Sequence, residues 1–383
     1  MSGWRGVGAV TGWQVSASTC FYAVFAATAA LRSTFGLSRA VVGFTVTAVV
    51  LGYTVGLLPA GALVDAHGDR SVMCYGLALL SVGTLAVAVA PGFPFLLGGL
   101  LVVGLCYATS VPATNRAVVR AAPTNRHGLA VNAKQVGVSA GSGLGALLVT
   151  GAAVVSLGWR AGFAVGLLVA AAYAVRVREG DTGDGPTRPD LGGLADLPGY
   201  RTLVVAGLFL GAAIFTTTGY VVLHMTEAVG ATAGLAGVTL AAVQVAGSAG
   251  RLGGGALADR LPFGDARAAA LVLLCQAGLA VLAAGAVAVV RSPWVAAACL
   301  VGLGVALVGF PGLYFACMTA LVPEERVGAA TATGQVVMNV GGLAAPPLFG
   351  SVVDAVSYRA AWGTLAAVTA VAAALVVRLV REL

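Results

Sequence analysis

Runs of about twenty apolar residues follow one another along the whole chain, and almost no charge interrupts them. Hydrophobic residues make up 59% of the 383 and charged residues 9%, with a mean hydropathy of +0.97. A soluble domain carries about 25% charged residues to solvate its surface, so lipid has to be the solvent here. Twelve spans are predicted, near 10–31, 40–63, 71–90, 94–118, 128–156, 160–177, 200–226, 233–257, 267–290, 293–320, 328–353 and 358–379. Each must be an α-helix, because backbone amides in lipid are satisfied only within their own segment. The alternating segments of about ten residues that build a membrane barrel are absent from the sequence. The expected class is therefore an all-α membrane protein. Helix 1 could pass for a signal peptide with a small-residue site at Ala27 and Ala29, but its removal would break the repeat described below.

Basic residues set the expected orientation. With the N-terminus inside, thirteen arginines fall on the inner side (Arg5, Arg70, Arg120, Arg126, Arg176, Arg178, Arg188, Arg201, Arg260, Arg267, Arg326, Arg378 and Arg381). Five fall outside: Arg32, Arg39, Arg160, Arg291 and Arg359. The positive-inside rule then predicts an inner (plasma) membrane protein with both termini cytoplasmic, so the net charge of +7 is a topology signal. Trp159, Trp294 and Trp362 fall at outer helix ends and Trp4 and Trp13 near the inner one, where an aromatic belt is expected. Charge spread this thinly excludes nucleic acid as a partner. The cysteines (Cys20, Cys74, Cys106, Cys275, Cys299 and Cys317) lie singly within spans, as packing residues rather than disulfides or a zinc site.

The chain repeats itself. From Pro123 and again from Pro323, at an offset of 200, Pro123, Arg126, Gly128, Ala130, Gln135, Val136 and Gly141 recur as Pro323, Arg326, Gly328, Ala330, Gln335, Val336 and Gly341. Gly61-Ala-Leu-Val-Asp65 recurs as Gly255-Ala-Leu-Ala-Asp259. Both steps are six spans long, so the repeat unit is a six-helix bundle, and two such bundles are a transporter architecture. The expected division is a bundle at 1–177, a solvated Gly/Pro/Asp-rich linker at 178–199 and a second bundle at 200–383.

The stretch Gly61-Ala-Leu-Val-Asp65-Ala-His-Gly68-Asp-Arg70 resembles the signature loop between helices 2 and 3 of the major facilitator superfamily, Gly-x-x-x-Asp-Arg-x-Gly-Arg-Arg. Gly61, Asp65, Gly68 and Arg70 are kept, while Ala66 and Asp69 replace basic positions; Gly255, Asp259 and Arg260 form a second copy. The resemblance implies two pseudo-symmetric bundles with these seven residues in gating. Small residues let helices approach closely, and Asp65 at a helix end can face a neighbouring helix N-terminus. Other motifs of that family are degraded: Leu100 to Gly104 carries no charge, and Ser142 stands where drug antiporters have proline. Gly137, Gly141 and Gly145 are then a small-residue packing face.

Charge inside a span costs roughly 2.5–3.5 kcal/mol at mid-depth and marks candidate function. Three basic residues qualify: Arg116, Lys134 (the chain's only lysine) and Arg251. Asp65, Asp259, Glu227 and Asp354 fall near helix ends, so the missing counter-charge suggests an anionic small-molecule substrate. In the family's architecture helices 5 and 8 face one another, which would bring Lys134 and Arg251 to one anion. Arg251-Leu-Gly-Gly-Gly255 is similar to the anion branch of cyanate and nitrate/nitrite carriers, although Leu57 stands where a second arginine would be needed for nitrate. Snorkelling to the inner surface is the alternative for Arg116 and Lys134. Gln244, Tyr107 and Tyr314 complete the candidate pocket, with interhelical hydrogen bonding as their alternative.

The expected function is secondary active transport of a small organic or inorganic anion by alternating access. The partners are that anion, the bilayer and a coupling proton or counter-substrate, and the chain acts as a monomer. An efflux carrier for neutral or hydrophobic compounds is the alternative within transport, and a membrane receptor or sensor the alternative outside it. His67, His127 and His224 lie far apart in loops or at helix ends, where solvation is expected. No catalytic residues, metal or cofactor are expected. The orientation has a direct check: a fluorescent protein fused after Leu383 should fluoresce and alkaline phosphatase fused there should be inactive. An active phosphatase would invert the topology.

Overall fold

With no water to pair its amides, the chain has formed helix wherever it is apolar. The computed structural model describes residues 3–123, 127–164, 166, 193–323 and 326–383. The helices are α1 (Trp4–Phe35), α2 (Arg39–His67), α3 (Asp69–Ala88), α4 (Phe93–Ala121) and α5 (His127–Val154). A sixth, α6, opens at 158 and is helical through 164. Then follow α7 (Tyr200–Ala228), α8 (Ala233–Ala258), α9 (Asp265–Val289), α10 (Pro293–Leu321), α11 (Val327–Ala355) and α12 (Tyr358–Glu382). Among the described residues 11 helices are long and apolar enough to cross a membrane. Their positions match the predicted spans to within a few residues at most ends. The remainder of the sixth span, Arg126, Arg176, Arg178, Arg188 and the linker up to 192 lie outside the described residues.

The chain divides into two compact units, Met1–Leu37 with Phe44–Thr187, and Ser38–Gly43 with Arg188–Leu383. Each is built on a pair of helices in backbone contact. In the first unit α5 lies on α1: a Cβ added at Gly137, Gly141 or Gly145 would meet the Thr11, Val15 or Thr19 carbonyl of α1. In the second unit α11 lies on α7 in the same way, with Gly341 against Leu208 and Gly211 against Met338. The predicted small-residue face is therefore the core seam of the first bundle, and Gly341 repeats it in the second. Gly61 and Gly255 are different: a Cβ there would meet nothing within 4 Å, so close helix approach does not account for the motif glycines. Gly68 has its own reason, since its φ of 77° between α2 and α3 is open only to glycine.

Among the described residues α7 ends in a π-turn, His224–Ala228, and α4 and α10 are interrupted within the span at corresponding places. The α4 ladder stops at Tyr107 and restarts at Ser110, where Pro112 has no N–H to give the preceding turn. The α10 ladder widens into a π-turn over Gly304–Val308 just before Pro311. Interrupted spans of this kind build solute sites in transporters, because their backbone oxygens are available to side chains.

The belt expectation holds only for Trp4 and Trp294, which are exposed. Trp13, Trp159 and Trp362 are buried because each indole N–H has a partner inside its unit: the Met73 carbonyl, the Thr34 hydroxyl and His224 Nδ1. His224 likewise departs from the solvated position expected of it, being 2% exposed and packed edge-on against Tyr358 and Trp362. Its neighbours in the second unit form a charged cluster. Arg39 bonds Glu227 at 2.7 Å and Asp354 at 3.3 Å, and Asp354 also accepts the backbone amides of Arg39 and Ala40. Tyr358 donates to Glu227 at 2.8 Å.

Glycine contacts of this kind predict a sharp contrast. Gly141→Val and Gly341→Val should each cost about 1–3 kcal/mol by overpacking. Gly61→Ala should be neutral or slightly stabilising. Thermal unfolding in detergent measures all three, and equal tolerance at Gly141 and Gly61 would refute the seam.

Candidate functional site

The first unit holds most of the polar chemistry on α1 and α4. Gln14 on α1 is 2% exposed, yet its amide is engaged at both ends. Its Nε2 donates to Ser18 Oγ at 3.1 Å and to the Tyr107 hydroxyl at 3.4 Å, and its Oε1 accepts from Thr114 at 3.3 Å. Ser18 and the Tyr107 hydroxyl are 3.1 Å apart. This network spans the break in α4, and aromatic rings surround it. Tyr107 stacks on Phe21 at 4.1 Å, with Tyr22 and Tyr53 within 6.3 Å of its ring. Sequence reasoning named Tyr107 but missed Gln14, Ser18 and Thr114. The available signal was an amide four residues before a serine in an apolar helix, which puts both on one face.

The candidate cations of this unit are held by neighbours. Lys134 on α5 is 4% exposed and donates to Asn115 Oδ1 on α4 at 2.7 Å. Arg116 sits 3.5 Å from Asp65 at the end of α2, which corrects the reading of Arg116 as a cation lacking a carboxylate. One turn on, Arg120 pairs with Asp69. Asp69 is 1% exposed, opens α3 and also accepts the amide of Arg70 at 2.9 Å. That position is basic in the family pattern; here the acid suits a helix N-terminus and draws in Arg120 across the turn. Arg70 itself is exposed.

In the second unit Arg251 on α8 donates through Nη2 to the Val308 carbonyl at 3.1 Å, at the end of the α10 π-turn. Gln276 on α9 donates to the Gly250 carbonyl at 3.0 Å, just beside it. Gln244 is buried on α8. Tyr314 is fully buried, with its hydroxyl donating to the Gly334 carbonyl at 3.4 Å, so it joins α10 to α11 as an interhelical bond. Gln335 donates to Asn339 at 2.9 Å on α11. Asp259 and Arg260 are exposed at the end of α8. The structure thus groups Arg116 with Asp65, and Lys134 with Asn115, in one unit. Arg251 and Tyr314 stand in the other. Among the described residues no group of histidine, cysteine or carboxylate side chains could hold a metal ion.

Long apolar helices in two bundles, each with an interrupted span and buried polar residues, define a multi-pass helical membrane protein. The family model for the Major Facilitator Superfamily matches residues 11–333 and 203–382, and the chain belongs to that family. Among curated relatives, the 3-(3-hydroxy-phenyl)propionate transporter of Escherichia coli is 31% identical over 139 residues, 36% of this chain and 34% of that protein. The probable anion transporter 3, chloroplastic, of Oryza sativa is 30% identical over 120 residues, 31% of this chain and 23% of that protein. The chain thus matches at most about a third of the length of these relatives. A bacterial homolog of the human lysosomal transporter Spinster, inward-facing and unoccupied, shares the fold at TM-score 0.80 and 15% identity, covering 99% of this chain and 97% of that one.

The two carboxylate–arginine pairs of the first unit should differ in weight. Asp65→Asn removes a partly exposed pair and should cost less than about 1 kcal/mol. Arg120→Ala strands the buried Asp69 carboxylate and should cost about 3 kcal/mol. Thermal unfolding of the purified variants tests the order, and a larger loss for Asp65→Asn would overturn it.

Proposed function

We propose that this chain is a secondary active transporter that carries a small anion by alternating access, with organic carboxylates as the first candidates. The two bundles, 1–177 and 200–383, are the bodies that move, and 178–199 is the tether between them. The observation that carries the reading is the placement of Arg251 and Lys134 within spans, where each charge is costly to hold and each grips a neutral oxygen. A guanidinium offers bidentate bonds to a carboxylate and an ammonium a point charge, so the two supply complementary recognition. Relatives named for hydroxyphenylpropionate and for anions support the same class. A gating role goes to Asp65 with Arg116 and to the Gly61, Gly68, Arg70, Gly255, Asp259 and Arg260 positions of the paired motifs. Residence in the plasma membrane as a monomer, with cytoplasmic termini and a proton or counter-substrate as the coupled species, completes the proposal.

The aromatic cluster of Phe21, Tyr22, Tyr53 and Tyr107 favours a second reading, efflux of a neutral ring compound. Uptake and counterflow in proteoliposomes separate the two. Wild-type protein should exchange 3-(3-hydroxyphenyl)propionate, and Arg251→Gln and Lys134→Gln should each lower uptake at subsaturating substrate by about tenfold or more, the value of one good charge-assisted contact. Normal anion transport by both variants would remove the proposed roles, and saturable efflux of uncharged arenes without anion flux would establish the second reading.

A further inference from the structure

The repeat allows the two copies of one helix contact to be compared residue by residue. In the first unit Gly56 of α2 abuts the Leu105 carbonyl and the Ala108 side chain of α4. In the second unit Gly250 of α8 abuts the Val305 carbonyl of α10. These are the same contact at the repeat offsets, since Gly250 stands 194 residues beyond Gly56 and Val305 stands 200 beyond Leu105. The next residue along the helix is where the copies part. It is Leu57 in the first unit and Arg251 in the second.

Three features of α10 differ from α4 in step with that change. The interruption is a π-turn, Gly304–Val308, where α4 has a simple turn at 108–109. The Val308 carbonyl receives Arg251 Nη2 at 3.1 Å, and its counterpart Ala108 meets Gly56 instead. Gly312 stands where α4 has Pro112, and the Arg251 stem lies across it: a Cβ at Gly312 would come within 2.5 Å of Arg251 Cγ and 3.4 Å of Cδ. Close packing of Gly304 on the Val243 carbonyl, and of Gly247 on the Val308 side chain, fixes the turn against α8. Gln276 secures the same point from α9 through the Gly250 carbonyl.

We infer that Gly312 and the α10 π-turn are a seat that positions the Arg251 guanidinium for its anion, with Gly312 as the positioning residue that sets the path of the side chain. The inference rests on the proposed role of Arg251 in transport. A π-turn displaces a backbone carbonyl from the regular ladder, which gives a side chain on a neighbouring helix a fixed acceptor. The missing Cβ of Gly312 opens the channel along which the four-atom stem reaches it. Held at Nη2, the planar guanidinium takes its orientation from the backbone of α10.

A double-mutant cycle tests the seat on the full chain: wild type, Gly312→Ala, Arg251→Ala, and both together. The first readout is the thermal midpoint in detergent, which needs no substrate. Gly312→Ala should lower it in the wild-type background and leave it unchanged in Arg251→Ala, where no stem remains to be displaced. The second readout is counterflow of 3-(3-hydroxyphenyl)propionate. Gly312→Ala should raise KM by about tenfold with kcat altered less, and add nothing to the Arg251→Ala defect. An equal thermal loss in both backgrounds would overturn the seat, as would an unchanged KM for Gly312→Ala where Arg251→Ala raises it. Anion flux absent from the wild type would defeat the transport reading alone, because the thermal cycle still decides whether Gly312 acts through Arg251.

Discussion

Backbone pressed against backbone at glycine is the contact on which this structure depends. Lipid tails are as apolar as the side chains, so burying one leucine against another gains little between membrane helices. What distinguishes a specific helix pair is closeness, and closeness needs positions without a Cβ. The α1–α5 seam at Gly137, Gly141 and Gly145 and the α7–α11 seam at Gly211 and Gly341 supply it. The α2–α4 and α8–α10 contacts repeat the device at Gly56 and Gly250. A chain with 55 glycines is therefore heavily specified, because many of these sites admit only one neighbour at one depth.

Against that frame the charged residues sort by what the helix ends offer them. Asp69 occupies the first turn of α3 and collects Arg120, while Asp65, one turn earlier, holds Arg116 at greater exposure. Asp354 caps the opening amides of α2 and shares Arg39 with Glu227. Lys134 donates to the side-chain amide of Asn115, and Arg251 to the Val308 carbonyl at the end of the π-turn.

Much of the fold was legible in the sequence because hydropathy and repetition are one-dimensional properties. Span positions, the six-helix repeat, and the packing role of Gly141 needed no knowledge of neighbours. Partner choice did need it. The pairing of Asp69 with Arg120 joins residues 51 apart, and Trp13 looked like a belt residue until the Met73 carbonyl appeared beside it. His224 sits near a helix end, where solvation is a fair expectation, yet Trp362 and Tyr358 close over it. The location of Arg251 could be read directly, whereas its seat could not, since a π-turn leaves no compositional trace beyond a glycine and a following proline.

The π-turn also carries a consequence for chain length. It houses an additional residue within otherwise regular helix, and each residue turns an α-helix by about 100°. Everything downstream in α10 is therefore rotated relative to an uninterrupted helix, and in that phase Tyr314, Cys317 and Met318 are fully buried. Loss of one residue between 304 and 308 would leave composition and hydropathy almost untouched while turning that inner stripe toward the surrounding tails. A one-residue deletion in this stretch is thus an error of phase rather than of composition.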